Sequence, residues 1–225
     1  MRVSRAATIA LALATSLATA ACNDSRDYAQ ATAVLVDVSG TYSEQKKDVV
    51  RFIKSGVLPD LLPGDSLMLI RIDDLSYEQD NVVANVKLDM RPSRANAEKL
   101  AFARSLDGFA GAYESARHTD IRGAMMLAAD YLKETGASNQ NIVVFSDLQE
   151  DLPSGATRKF EENEFENIRV LAMNVKKLGS DNRDPARYRQ RLASWEERVR
   201  DTGASDWQVI LTPTTLVDVL SANRS

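Results

Sequence analysis

Asp37, Ser39 and Thr41 carry three oxygen-bearing side chains at alternate positions, directly after the apolar run Ala33-Val34-Leu35-Val36. A carboxylate and two hydroxyls at i, i+2 and i+4, held in the turn that leaves a buried strand, can converge on one hard divalent cation. Two later segments can complete such a site. Thr119-Asp120 opens a helical pattern after a long polar stretch, and Ser146-Asp147 ends a second apolar run, Asn141-Ile142-Val143-Val144-Phe145. Neutral hydroxyls with two carboxylates suit Mg²⁺ or Mn²⁺ and not zinc, because His118 is the sole histidine and Cys22 the sole cysteine, which leaves no soft ligand set. Two anionic groups roughly balance the ion and leave a coordination position that an outside carboxylate can fill. The pattern points to binding ahead of catalysis.

Each piece alone has a plainer reading. Asp-x-Ser-x-Thr also makes a turn that satisfies its own backbone donors, Thr119 also caps a helix, and Asp147 also caps the next turn. Their order along the chain, each at the end of its element, argues for one shared site.

The elements that must position these residues follow from the apolar pattern. Residues 32–38 form a near-continuous apolar run, as in a strand buried on both faces of a parallel sheet. Residues 43–58 carry Val49, Phe52, Ile53 and Val57 at helical spacing, and Pro63-Gly64-Asp65 turns the chain into a strand at 66–70. The apolar segment 82–88 follows too soon for a parallel crossover, so it is expected to pair antiparallel at an edge. Residues 92–118 read as helix-rich, with Leu100, Phe102, Ala103, Leu106, Phe109 and Tyr113 supplying buried faces. A second helix spans 121–132, opened by Thr119 or Asp120 as cap. Further strands are expected at 141–146, 168–175 and 207–211. Between the last two, Asp184 and Pro185 begin a helix with Tyr188, Leu192, Trp195 and Val199 on one stripe. Its arginines and glutamates read as a solvated face. The sum is an α/β fold, a doubly wound and mostly parallel sheet with one antiparallel edge strand, in which ligands gather at the carboxyl ends of the strands.

At these residues the chain resembles the von Willebrand factor type A domain with its metal-ion-dependent adhesion site, from residue 31 to about 223. Asp37-x-Ser39-x-Thr41 is similar to that family's Asp-x-Ser-x-Ser, Thr119-Asp120-Ile121-x-x-Ala124 to its threonine loop, and Phe145-Ser146-Asp147 to its second aspartate. Leu62-Pro63-Gly64-Asp65 before the second strand is also a phrase of that family. The resemblance implies that Ser39, Thr41 and Thr119 touch the metal directly or nearly so. Asp37 and Asp147 would bind it directly or through water, and a protein partner would donate an acidic ligand. Two positions depart from the family pattern: Thr41 replaces serine and keeps the hydroxyl, and Leu148 replaces a glycine that often follows the second aspartate.

Asp37-Val38-Ser39-Gly40-Thr41 also resembles the Asp-x-Asp-Gly-Thr of haloacid dehalogenase-type phosphatases, in which Asp37 would be a nucleophile working with Mg²⁺ and Ser146 would grip phosphate. Ser39 then stands where a general acid belongs, Gly179-Ser180-Asp181 is a poor second acidic site, and Thr119 has no task. A Ser39, His118, Asp147 hydrolase lacks a Gly-x-Ser-x-Gly elbow. A third alternative is a scaffold of the same fold whose metal site has decayed. Asp73-Asp74, ending the second strand on the side of the proposed site, read as surface turn residues, with a rim contribution to partner binding as the alternative.

The amino terminus reads as an export signal. Arg2 and Arg5 precede an apolar stretch too short to span a membrane, and small residues lead to Cys22. Residues 1–21 are expected to be a signal peptide, with Cys22 lipidated as in bacterial lipoproteins and residues 22–31 a tether. Ordinary cleavage and release to the periplasm is the alternative. The protein would then sit in the bacterial cell envelope, on a membrane, facing the periplasm or exterior, with residues 32–223 as one domain. Removing residues 1–21 takes away two arginines and no acid, which moves the formal charge from −4 to −6. An acidic chain argues against nucleic acid as a partner.

Overall fold

The computed structural model describes residues 28–39, 45–112, 116–173, 175, 178–179 and 181–222. The expected signal peptide, Cys22 and Thr41 lie outside the described residues. Strand β1 (Gln30–Asp37) is buried along its whole length, as its continuous apolar run requires. It takes up Gln30 and Ala31, which the sequence reading left to the tether, because the Gln30 amide is anchored by the Asp65 carboxylate at 2.9 Å. Around β1 stand β2 (Ser66–Ile72), β3 (Val82–Lys87), β4 (Asn139–Phe145), β5 (Ile168–Met173) and β6 (Asp206–Ile210). The order is β3-β2-β1-β4-β5-β6. All neighbours run parallel except β2 and β3, so the antiparallel strand lies at an edge. Strand order reverses between β1 and β4, and the crevice beyond their carboxyl ends is where a doubly wound sheet receives ligands.

Helices α1 (Lys46–Phe52, continued by a π-helical turn Ile53–Val57), α2 (Pro92–Gly111) and α5 (Pro213–Ala222) cover one face. Their Ile53, Phe102, Leu106 and Leu216 pack with Val34, Val36, Leu67 and Leu69. Helices α3 (Ile121–Thr135) and α4 (Pro185–Asp201) cover the other, where Ile121, Ala128, Leu132, Trp195 and Val199 meet Ala33, Leu35, Ile70 and Val144. Alternate residues of β1 thus feed opposite cores, as the period of a strand dictates.

The structure corrects some details. Leu100, expected to be buried, is 61% exposed, because α2 turns its Ala95, Phe102, Leu106 and Phe109 face to the sheet and position 100 falls on the opposite side. Tyr113 lies outside the described residues. Strand β5 stops at Met173, short of residue 175. Helix α5 has no counterpart among the elements that the apolar pattern predicts. It begins at a proline in its first turn and buries only Leu216 and Leu220, too weak a stripe to announce itself beside the exposed Leu211.

Candidate metal centre

Asp37 ends β1 and is 1% exposed. One carboxylate oxygen, Oδ1, accepts the Ser39 amide at 2.8 Å and the Ser39 hydroxyl at 2.5 Å. The other, Oδ2, accepts the Ser146 hydroxyl at 2.8 Å from the end of β4. Thr119 in turn donates its hydroxyl to Ser39 Oγ at 2.9 Å. A carboxylate and three hydroxyls from β1, β4 and the loop before α3 therefore meet at the switch point. Burial pushes the Asp37 carboxyl above its ordinary value of 3.8, and the charge of Asp147 pushes the same way, against the hydrogen bonds from Ser39 and Ser146. Among the described residues no lysine or arginine pairs with Asp37 to offset this. Taking a carboxylate out of water without a counter-charge is costly.

The loop carrying Thr119 is laced to three strand ends. Ser39 bridges to Ala116, and Thr119 bridges to Asp151, exchanging backbone hydrogen bonds at 2.7 and 3.1 Å. Asp74, after β2, accepts the Arg117 and His118 amides at 2.9 and 2.7 Å through Oδ1. The Asp120 amide donates to the Asp73 carbonyl at 2.9 Å. Asp73 and Asp74 are half-buried and position the Thr119 loop, a task their turn chemistry alone did not reveal. Asp120 is the cap of α3: its carboxylate accepts Gly123 and Ser76 amides and the Arg158 Nε–H. A Cβ on Gly123 would fall 2.3 Å from Asp120 Oδ2, so only glycine leaves room for this cap.

Asp147 follows Ser146, is half-buried, and its Oδ1 accepts the Gln149 amide at 2.8 Å. Leu148 has φ of 61°, the left-handed region that glycine enters most easily. A leucine holds that conformation because its side chain is 2% exposed in the core, its amide bonds to Ser146 Oγ at 3.0 Å, and its carbonyl accepts the Trp195 indole N–H at 2.9 Å. Arg191 donates to the Asp147 carbonyl at 3.0 Å. The departure from glycine thus leaves the loop backbone in the glycine-like turn, fixed by packing.

Of the residues singled out in the sequence, the structure joins Asp37, Ser39 and Thr119 in one hydrogen-bonded cluster and places Asp147 within electrostatic reach of Asp37. Thr41 lies outside the described residues. Ser146 Oγ belongs to the cluster too; its place at the end of an apolar run beside Asp147 was the available signal. No hydrogen bond joins Ser39 to His118, whose Nδ1 faces Asp151 Oδ2 at 3.0 Å. Among the described residues no three His, Cys, Asp or Glu side chains gather as an ion site; the cluster rests on three hydroxyls and the Asp37 carboxylate, with the Asp147 charge nearby, a donor set that fits Mg²⁺ or Mn²⁺.

No family model matches the sequence, and no curated protein matches it. Among solved structures, a point mutant of the PilB minor pilin from Streptococcus sanguinis aligns with a TM-score of 0.51 at 10% identity, over 88% of this chain and 61% of that one. The pilus adhesin SpaC from Lactobacillus rhamnosus GG, in an open conformation, aligns at 0.46 and 12% identity, over 87% of this chain and 29% of that one. A von Willebrand factor type A protein from Catenulispora acidiphila aligns at 0.43 and 10% identity, over 87% and 42%. The chain thus spans less than two thirds of each of these proteins. The likeness to PilB is one of fold: a six-stranded, mostly parallel sheet with one antiparallel edge strand and helices on both faces.

Proposed function

We propose that this protein is a membrane-anchored binding domain of von Willebrand factor type A kind, which holds Mg²⁺ or Mn²⁺ through Asp37, Ser39, Thr41, Thr119 and Asp147. The bound ion offers its open position to a carboxylate of a protein partner, and no reaction is catalysed. The observation that carries this reading is Asp37: a carboxylate 1% exposed, ringed by hydroxyls, with a second carboxylate near and, among the described residues, no cationic side chain paired to it. A hard cation is the partner that this arrangement lacks. Ser39 and Ser146 hold the Asp37 carboxylate in place, and Asp74 and Asp151 hold the loop that presents the Thr119 hydroxyl. In the envelope setting, Cys22 carries the lipid, and release to the periplasm is the alternative; a fold shared with a minor pilin is in keeping with either.

The test is calorimetric titration of the purified protein with Mg²⁺ and Mn²⁺. A saturable heat and a raised melting temperature are expected, both lost in Asp37→Asn. No saturable heat with either ion would leave a scaffold with a decayed site. Affinity capture with and without chelator then identifies the partner as the protein retained only when metal is present. Release of phosphate from an aryl phosphate with Mg²⁺, abolished by Asp37→Asn, would overturn the non-enzymatic reading in favour of a haloacid dehalogenase-type phosphatase.

A further inference from the structure

Helix α4 sets Arg187, Arg191, Trp195 and Arg198 on one stripe, at spacings of a helical turn. Its Arg187 is exposed and its Arg191 and Arg198 half-buried, so these arginines meet water in part, as the sequence suggested. The stripe forms one wall of an open cavity of about 430 Å³, whose other wall is Leu148-Gln149-Glu150, the residues directly after Asp147. The cavity and the candidate metal centre therefore share a loop.

The charges in the cavity are unevenly committed. The Asp181 carboxylate is clasped by Arg191 at 2.7 and 3.2 Å. Glu150 is clasped by Arg122, through its amide at 3.0 Å and its Nε at 2.6 Å. Arg198 is different. Its guanidinium lies 4.8 Å from the Trp195 ring centre and donates to the Ser194 carbonyl and hydroxyl, and among the described residues no carboxylate lies within ion-pair distance. Burial lowers its affinity for the proton and the nearby Arg122 adds to that, while the charges of Glu150 and Glu197 oppose them. Arg187, 66% exposed, meets only its helix-cap neighbour Asp184 at 3.6 Å. The Gln149 and Gln190 amides add neutral donors to the same lining. In a chain of net charge −4, a cavity with two guanidiniums in reserve runs against the overall field. Guanidinium forks match carboxylates in shape and charge.

We infer that this cavity is a second subsite, in which Arg187 and Arg198 bind an acidic side chain of a polypeptide segment whose other carboxylate reaches the ion. The inference rests on the metal-dependent reading of the neighbouring centre. Leu148-Gln149-Glu150, which wall the cavity, follow Asp147 directly, so the proposed segment would pass from the ion along this loop. Arg191 and Asp181 brace the shared loop and are positioning residues.

The experiment is calorimetric titration of the purified protein with an oligoglutamate peptide, in Mg²⁺ and in chelator, with oligoglutamine as control. Expected are saturable binding in both conditions, tighter in Mg²⁺, and no binding of oligoglutamine. Arg198→Gln should weaken oligoglutamate by about tenfold, the scale of one charge-assisted contact, and Arg198→Lys should restore part of it. Arg187→Gln, at an exposed position that the fold does not need, should weaken it less. Unchanged affinity in Arg187→Gln and Arg198→Gln overturns the subsite, as does free glutamate binding as tightly as the peptide. Should Mg²⁺ give no heat while oligoglutamate binding still depends on Arg198, the ion reading fails and the cavity stands. Should Mg²⁺ bind while oligoglutamate ignores both arginines, the cavity fails and the ion stands.

Discussion

At the scale of single residues, the proposed metal binding makes Asp37 the group whose protonation the ion must displace. Its folded-state pKa lies above 3.8, so its contribution to stability is fully present below that value and is lost as pH rises through the raised folded value. A bound cation competes with the proton for the same oxygens and reverses that preference. The melting-temperature increase given by Mg²⁺ is therefore expected to shrink as pH falls from neutral into the acidic range, and to be absent at every pH in Asp37→Asn. Thermal melts with and without Mg²⁺ across pH check this; an increase that stays flat as the solution is acidified counts against Asp37 as the group in control. Leu148 poses a different question, since glycine would relax its backbone. The left-handed conformation costs roughly 1–2 kcal/mol, whereas emptying a fully buried leucine site costs roughly 2–5 kcal/mol. Leu148→Gly is thus expected to destabilise by roughly 1–3 kcal/mol in urea unfolding. A gain in stability would show that strain outweighs packing there. Asp74→Ala should leave the melting temperature close to native yet weaken Mg²⁺, because the Arg117 and His118 amides lose the acceptor that holds the Thr119 loop.

At the scale of elements, the start of α3 joins fold and site. Asp120 is fully buried and answers two amides and one guanidinium, which locks the helix beneath Thr119. Gly123→Ala gains up to ~1 kcal/mol of helix propensity, but its Cβ would strike the capping carboxylate. The expected net result is a loss of about 1–3 kcal/mol, the scale of buried groups left without partners, read by chemical denaturation. An alanine variant as stable as native would mean that Asp120 can cap from another rotamer. The element pattern was legible where burial is symmetrical, as in β1, or where length forbids a crossover, as between β2 and β3. It was not legible in α5, whose two buried leucines make no period that stands out from the flanking chain. Nor was the cavity wall legible in the stripe of α4: a run of arginines looks the same whether it meets water alone or also lines a cavity, until the facing loop is in place.

At the scale of the whole molecule, β1 runs from the amino-terminal side at Gln30 to the candidate centre at Asp37, and eight strand residues span roughly 25 Å. A lipid on Cys22 would thus attach through the chain that enters the sheet at the end opposite the centre. Cys22→Ser is expected to move the protein from membrane to soluble fractions on centrifugation while leaving Mg²⁺ binding unchanged. Retention in the membrane fraction would mean another anchor.

The sequence by itself determined the sheet class, the antiparallel edge strand and the identities of Asp37, Ser39, Thr41, Thr119 and Asp147 as candidates, because apolar period, link length and side-chain chemistry are local properties. Tertiary structure alone decided that Ser146 Oγ and Ser39 Oγ would share one carboxylate, that Asp74 would hold a loop more than forty residues away, and that Arg198 would face the loop after Asp147. Those are distances between segments far apart in the chain, and only the packed sheet, with β1 laid beside β4, sets them.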